Sequence, residues 1–417
     1  LSNPHTLQVS QLNQSENVQK VIADAITKSD RNQITFAHFM ELALYHPQFG
    51  YYSSSELSSK GRSQRIIGPQ GDFVTSPHMG HDFGQLLAEQ FADMWTQLNQ
   101  PNPFTLVEMG AGQGLVATDV LEHLQTHYPD CFQCLRYIVV EKSIALRAEQ
   151  QKRLAHWQAK GVTLSWQNLD ELAESSIVGC AFSNELVDAF PVHWVEWHQE
   201  LKEMWVSVEG NQFIPTLGEL STPALQTYFE QVGIDLSQDY VDGYRTEVNL
   251  AALDWLTQVS KCLKKGYLLT IDYGYTAQRY YSPARREGTL QCYTRHSHHS
   301  DPFAYVGEQD ITAHVDFTAL ENVGNSVGLE TVGFTQQALF LMALGLGARL
   351  TKLSQPRFPE KPANSKTIQA IIMRREALQQ LINPMGFGNF GVLIQAKGLT
   401  KAEIAKPLKG LTIPLMM

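Results

Sequence analysis

The chain has 417 residues, 43% of them apolar and 18% charged, which suits a globular protein of two or three domains with a sizeable core. Acidic residues outnumber basic ones by 42 to 32, and the formal charge of -10 argues against nucleic acid as a partner, since such binders carry a basic footprint. Five scattered cysteines, an odd number, do not make a secreted disulfide framework.

Residues 1–19, LSNPHTLQVSQLNQSENVQ, lack the basic and apolar regions of a signal peptide and the arginines of a transit peptide. They predict a cytoplasmic protein, or a mitochondrial matrix one if the chain is a processed organellar form. Residues 1–20 are polar and read as loosely held. ITFAHFMELAL, within residues 33–44, has helical spacing of its apolar residues. The stretch from Tyr45 to Phe73 is dense in Gly, Ser and Pro and reads as loop. Asp82 to Leu98 returns to helical spacing. No apolar run approaches the roughly 20 residues that span a bilayer, and Ala338 to Ala348 reads as a core helix.

From Phe104 the texture changes. TLVEM, RYIVVE, VTLSW, GCAFS and YLLTID are short, apolar and β-rich, most of them separated by a helical pattern. That alternation predicts an α/β fold with a mostly parallel, Rossmann-like sheet. The stretch from Pro191 to Lys265 is too long for a simple crossover and predicts an insertion. Within it, WVEW and MWVSVE read as paired strands and Asp235 to Lys264 as mainly helical. A second insertion runs from Tyr275 to Phe317, and FGVLIQAKGL reads as a closing strand.

The motif Glu108-Met-Gly110-Ala-Gly112-Gln-Gly114 lies between a strand and a helix. Glycines there let the backbone turn sharply and approach a ligand. A dinucleotide fingerprint would read G-x-G-x-x-G, whereas this turn reads G-x-G-x-G behind an acid. The acid-then-glycines pattern resembles class I methyltransferases, which bind the amino-acid end of S-adenosylmethionine there. A carboxylate suits that ligand's ammonium group and would repel a pyrophosphate. Glu141, closing RYIVVE, is the candidate acceptor for the two ribose hydroxyls. Asn168 and Leu169, after the third strand, are candidates for the adenine edge and face.

Five ordered blocks identify the chain as similar to the MidA-like family, from about Phe36 to Val392. They are Gly71-Asp-Phe-Val-Thr-Ser-Pro77, Glu108–Gly114, Ser183-Asn-Glu-Leu-Val-Asp-Ala-Phe-Pro191, Ile271-Asp-Tyr-Gly274 and Gly307-Glu-Gln-Asp-Ile-Thr-Ala-His-Val-Asp-Phe317. The family includes mitochondrial complex I assembly factors that methylate an arginine of a complex I subunit. The resemblance implies an S-adenosylmethionine-dependent methyltransferase acting on a protein arginine. The family usually carries Glu after the Pro77 position, where this chain has His78.

The organisation so implied is an N-terminal helical and loop region over the cofactor site (1–100), the first part of the cofactor-binding core (101–190), a substrate-side insertion (191–265), a core strand (266–274), a second insertion lining the cleft (275–317) and the rest of the core (318–417). Homo-oligomerisation is compatible with it.

On the acceptor side, Asn184, Glu185 and Asp188 follow the fourth strand. A guanidinium is a planar cation with a fork of donors, best matched by carboxylates. These acids therefore read either as catalytic groups that orient an arginine or as first-turn helix caps. Asp272 and Tyr273 end the fifth strand. With Asp310, Thr312 and His314 of the second insertion they are candidates for the substrate cleft. Asp316 reads as cleft lining or as a local hydrogen-bonding group. Asp72, Thr75 and Ser76 sit in a loop before the core that folds over the cofactor in this reading.

No metal is expected. The thiols Cys131 and Cys134 make half a zinc site at most, and His296, His298, His299 and His314, with Asp301 and Asp316, match no standard spacing. The competing readings are a small-molecule methyltransferase with a closed apolar pocket, a non-catalytic assembly factor that binds the cofactor, and a nicotinamide oxidoreductase.

Overall fold

The computed structural model describes residues 14–53, 75–294, 297–354 and 365–412. Helix α1 (Gln14–Lys28) buries Val18, Ile22 and Ile26, which lie four apart and share one face, so the chain is anchored well before residue 20. Ile34–Thr35 form a short strand, and the Thr35 side chain then caps α2 (Phe36–Tyr45) by accepting from the His38 N–H.

The core begins with α3 (Asp82–Gln97), β1 (Phe104–Met109), α4 (Leu115–His127), β2 (Leu135–Val140), α5 (Ile144–Ala159), β3 (Thr163–Gln167) and β4 (Ile177–Asn184). The first insertion supplies β5 (His193–Trp197), β6 (Leu201–Glu209), β7 (Gln212–Gly218), α6 (Ala224–Gln231) and β8 (Tyr244–Val248). The core resumes with α7 (Leu250–Cys262) and β9 (Leu263–Asp272). After the second insertion come α8 (Phe317–Ser326), β10 (Glu330–Gln336), α9 (Gln337–Ala343), α10 (Leu346–Ser354), α11 (Ser365–Leu381) and β11 (Gly391–Lys397).

The central sheet has seven strands in the order β10-β11-β9-β4-β1-β2-β3. All neighbours from β9 to β3 are parallel, and β11 runs antiparallel between β9 and β10. Helices cover both faces, with one apolar core around Phe91, Phe104 and Phe182 and another around Val107, Leu256 and Leu268. The chain moves outward from β1 to β3 and then returns to β4 on the other side of β1. A reversal of this kind opens a crevice at the C-terminal ends of the strands, where ligands bind in open α/β sheets.

In the first insertion β5 pairs with β6, as WVEW and MWVSVE predicted. The helical expectation for Asp235 to Lys264 holds only from Leu250. Tyr244–Val248 is a strand paired with β5, because YRTEV buries Tyr244, Thr246 and Val248 on one face with period two. Ile34–Thr35 pair with β6, so the N-terminal region and the first insertion share a sheet. The run Ala338 to Ala348 is also divided, with α9 ending before Gly345, which turns the chain at φ +110°. No helix among the described residues is long and apolar enough to cross a membrane.

Candidate active site

A cavity of about 430 Å³ opens at the C-terminal ends of β1, β2, β4 and β9. Its size is that of a small-molecule site. The wall is completed by the second insertion and by residues from Tyr45 to Ser53 and Thr75 to His78.

At one end the glycine turn carries Gly110, Gly112 and Gly114 at φ +70°, +52° and +74°. A Cβ on Gly110 would stand 2.7 Å from Leu186 Cδ1, so the turn needs glycine there for space as well as for conformation. Gly114 lies outside the cavity and lets the chain enter α4 as its N-cap. Glu108 is buried in the cavity wall, and its Oε2 accepts from the Tyr137 hydroxyl at 2.7 Å. Burial raises this carboxyl to about 8 against the pull of Tyr137.

Glu141 stands at the end of the neighbouring strand, also buried in the wall. Its Oε1 accepts from the Ser143 N–H at 3.0 Å, and burial raises its pKa. Gln150 ties the two pieces together by donating to Glu141 Oε2 at 3.2 Å and to the Gly112 carbonyl at 2.7 Å. Trp166 holds the far side of Gln150 by donating to its Oε1 at 3.1 Å. Ile144 also lines the cavity and is 81% exposed, a large apolar surface left open beside Glu141.

Asn168 and Leu169 do not line the cavity, contrary to their selection for the adenine edge and face. Asn168 is exposed and engaged with Arg147 and Glu171 as the cap of a short 3₁₀ turn, while Leu169 packs against the core. The exposed apolar face is presented instead by Ile144, which follows β2, one strand closer to the glycine turn.

At the other end, Asn184, Glu185 and Asp188 all line the cavity. No α-helix begins here. Glu185 sits in a left-handed conformation at φ +51° and a 3₁₀ turn follows over Val187–Ala189, so helix capping does not explain the acids. Glu185 Oε1 accepts from the Ser76 N–H at 2.9 Å and from Asn184 Nδ2 at 3.0 Å. Its withdrawal from bulk water raises it to about 8. Asp188 is raised well above the carboxylate range by burial and by the neighbouring charges of Asp272, Asp310 and Glu185.

Asp272 was selected for the cleft, but it is fully buried and absent from the wall. Its Oδ2 accepts from the backbone N–H groups of Leu186, Val187 and Asp188 at 3.1, 2.8 and 3.4 Å, and its Oδ1 from that of Tyr273 at 2.8 Å. Tyr273, Asp310, Thr312 and His314 do reach the cavity. Tyr52 donates to Asp310 Oδ1 at 2.7 Å, and Tyr45 donates to the Ala189 carbonyl at 2.8 Å. Burial, with Arg285 and Arg279 nearby, lowers His314 to about 4 and keeps it neutral at pH 7. Asp316 serves as the N-cap of α8 and accepts from Tyr228, away from the cavity.

The N-terminal loop also meets the site. His78 donates from Nε2 to Gln113 Oε1 at 3.2 Å and accepts at Nδ1 from the Thr75 hydroxyl at 2.7 Å, linking the Thr75–Met79 turn to the glycine turn. Ser76 is buried behind the wall and contributes its N–H to Glu185. Asp72 and His296 lie outside the described residues. Among the described residues, no three His, Cys, Asp or Glu side chains converge as metal ligands would.

Sequence reasoning missed Tyr45, Tyr52, Gln113, Ile144, Gln150 and Tyr293, of which all but Gln150 line the cavity. The aromatic density of YHPQFGYY was a signal for the first two. Gln150, in the middle of an ordinary helix, gave none.

The residues present fit a nucleoside that carries an amino-acid tail. The glycine turn exposes backbone, Glu108 and Glu141 stand at adjacent strand ends, and Ile144 offers an apolar face beside them. A family model described as "Putative S-adenosyl-L-methionine-dependent methyltransferase" matches residues 86–335. Two crystal structures of Burkholderia thailandensis proteins are similar over nearly the whole chain. One is a methyl transferase candidate bound to S-adenosyl-homocysteine, at 28% identity and TM-score 0.78, covering 95% of each chain. The other, a native structure, has 30% identity and TM-score 0.77, covering 96% of this chain and 95% of that one. The Drosophila melanogaster mitochondrial protein arginine methyltransferase NDUFAF7 homolog is 26% identical over 400 residues, covering 89% of this chain and 84% of that protein. The Homo sapiens mitochondrial protein arginine methyltransferase NDUFAF7 is 26% identical over 391 residues, covering 87% and 80%.

Proposed function

Since the chain belongs to the S-adenosyl-L-methionine-dependent methyltransferase family whose model spans residues 86–335, we propose that it transfers the methyl group to an arginine side chain of a protein. The observation that carries the arginine reading is the convergence of Glu185, Asp188 and Asp310 on one cavity whose other end holds the glycine turn. The buried carboxyls of Glu185 and Asp188, raised in pKa, favour a cationic guest, which stabilises their charged forms. A guanidinium supplies that cation and a planar fork of donors. The names of the mitochondrial relatives support the same reading. They also favour a mitochondrial location over the cytoplasmic one expected from residues 1–19.

In this reading Glu108 pairs with the ammonium group of the cofactor, Gly110 and Gly112 present their backbone to its amino-acid end, and Glu141 accepts from the ribose. Ile144 packs on the adenine. Thr75, with His78, closes the near wall, and Ser76 steadies Glu185 from behind it. When bound, S-adenosylmethionine supplies a methyl group already activated on a sulfonium. Glu185 and Asp188 hold the guanidinium so that one nitrogen faces the methyl and positive charge gathers on the others. Glu185, held in its charged form by the bound guanidinium, is placed to take the proton that the methylated nitrogen releases. Asn184, Tyr273, Asp310, Thr312 and His314 frame the acceptor.

The test uses labelled S-adenosylmethionine, the purified protein and a lysate of cells that lack it, followed by mass spectrometry of the labelled band. Label on an arginine is the expected result. Label on a small molecule moves the activity to that substrate class, and cofactor binding without any label leaves an assembly factor.

A further inference from the structure

Asp272 makes no contact with the cavity, yet its carboxylate receives four backbone N–H groups, three of them from the consecutive residues Leu186, Val187 and Asp188. It ends β9, the strand beside β4, and is 0% exposed. The segment it holds begins at Glu185, whose φ of +51° is one that side chains with a Cβ adopt at a cost, and whose N–H is fixed to the Ile271 carbonyl at 2.9 Å. A turn of this shape persists only where its surroundings over-determine it. The Asp272 oxygens do that by gathering N–H groups that, in a 3₁₀ turn of three residues, have no partner within the turn.

We propose that Asp272 is the positioning residue of the transfer site: its carboxylate fixes the Leu186–Asp188 backbone and so aims Glu185 and Asp188 into the cavity. This rests on the reading that those two acids face the acceptor. A carboxylate is required because its two oxygens accept all four N–H groups, whereas an amide has one oxygen and a donor that opposes the fourth.

Asp272 is itself raised to about 7 by burial, and once ionised its charge holds back the ionisation of the two acids. Burial is the larger cause for both, and the charge of Asp272 adds to it. Facing them are Asp310 and Tyr293 of the second insertion, Tyr45 and Tyr52 of the N-terminal region, and Tyr273. Among the described residues these groups are acids and phenols, while Lys142, His78 and His314 also line the cavity, His314 being neutral at pH 7; removal of Asp272 takes away repulsion.

The experiment compares the full chain with Asp272→Asn, each saturated with S-adenosylhomocysteine. Carboxyl titrations of ¹³C-labelled Glu185 and Asp188 are followed by NMR, alongside kcat for methyl transfer and the S-adenosylhomocysteine dissociation constant. The expected result is a fall of on the order of one pH unit in both carboxyl midpoints. kcat should fall at least tenfold, with cofactor affinity within about twofold of the parent. Unmoved midpoints, or undiminished kcat, overturn the proposal. If Asp272→Asn does not fold, Asp272→Glu keeps the charge and shifts the oxygens by one methylene. It should then lose kcat while keeping the midpoints, and full activity in that variant overturns the proposal equally. The titrations need no acceptor, so they decide the role of Asp272 even if the arginine assignment fails.

Discussion

Tyr137 donates its hydroxyl to Glu108 Oε2 at 2.7 Å across neighbouring parallel strands, so the acid beside the glycine turn is held from within the core rather than from solvent. That bond opposes the rise in pKa that burial imposes on Glu108. Tyr137→Phe should therefore make ionisation of Glu108 harder and weaken S-adenosylmethionine binding at pH 7 by about 0.5–1.5 kcal/mol, the usual worth of one such bond. Calorimetry measures this directly. An unchanged dissociation constant in the folded variant would remove Glu108 from cofactor recognition.

Affinity for the cofactor should depend on pH in a defined direction. Glu108 is raised to about 8 in the ligand-free protein, and pairing with an ammonium favours its charged form. Below pH 8 binding must release a proton from Glu108, so affinity rises toward pH 8, by at most about tenfold per pH unit, and falls above it as the ligand's ammonium deprotonates. Titration calorimetry in buffers of different ionisation enthalpy should show proton release near pH 7. Proton uptake there would contradict the assignment.

The same shift acts on stability with the opposite dependence. Glu108 has a folded pKa above its unfolded value, so its contribution is fully present below about 4.5 and is lost as pH rises toward 8. Glu108→Gln cannot ionise and should lessen the decline in Tm of the ligand-free protein between pH 5.5 and pH 8. Thermal melts of the two proteins at both pH values provide the comparison. Parallel declines would mean that Glu108 is charged in the empty site.

Gly110→Ala should cost about 1 kcal/mol for the left-handed backbone alone. It should cost more because the new Cβ would stand 2.7 Å from Leu186 Cδ1, next to Asn184 and Glu185. Cofactor affinity is expected to drop at least tenfold while the far-ultraviolet circular dichroism stays native. Retention of full affinity would show that the turn has slack.

The amides Glu185→Gln and Asp188→Asn keep shape but remove charge. Each should lower methyl transfer to an arginine-bearing protein by roughly two orders of magnitude or more, the scale of losing one electrostatic contact at a reacting centre. Cofactor affinity should change little. Full activity in both would remove these acids from the mechanism.

The parallel core was legible because its strands are buried on both faces and read as apolar runs such as RYIVVE and YLLTID. The glycine turn was legible because few backbones need three left-handed residues in five. The strand Tyr244–Val248 was not, since one polar and one apolar face over five residues competes poorly with the helical pattern that follows it. The site itself divided along the same line. Glu108 and Glu141 announce themselves at strand ends, as do Glu185 and Asp188. Asp272 has the same address, yet its oxygens turn inward to the backbone, and nothing in IDYG tells a lining acid from a supporting one. Tyr45, Tyr52 and Gln150 reach the site through tertiary packing, which leaves no local pattern.

The bond from Tyr52 to Asp310 joins residues 258 positions apart, whereas the glycine turn, Glu141 and Gln150 lie within one short run of the core. Contacts so distant in sequence close late, because the loop entropy must be met before they reward it. The end of the cavity at the glycine turn is therefore built from one local stretch of chain, whereas the wall at Asp310 exists only while two distant segments stay docked.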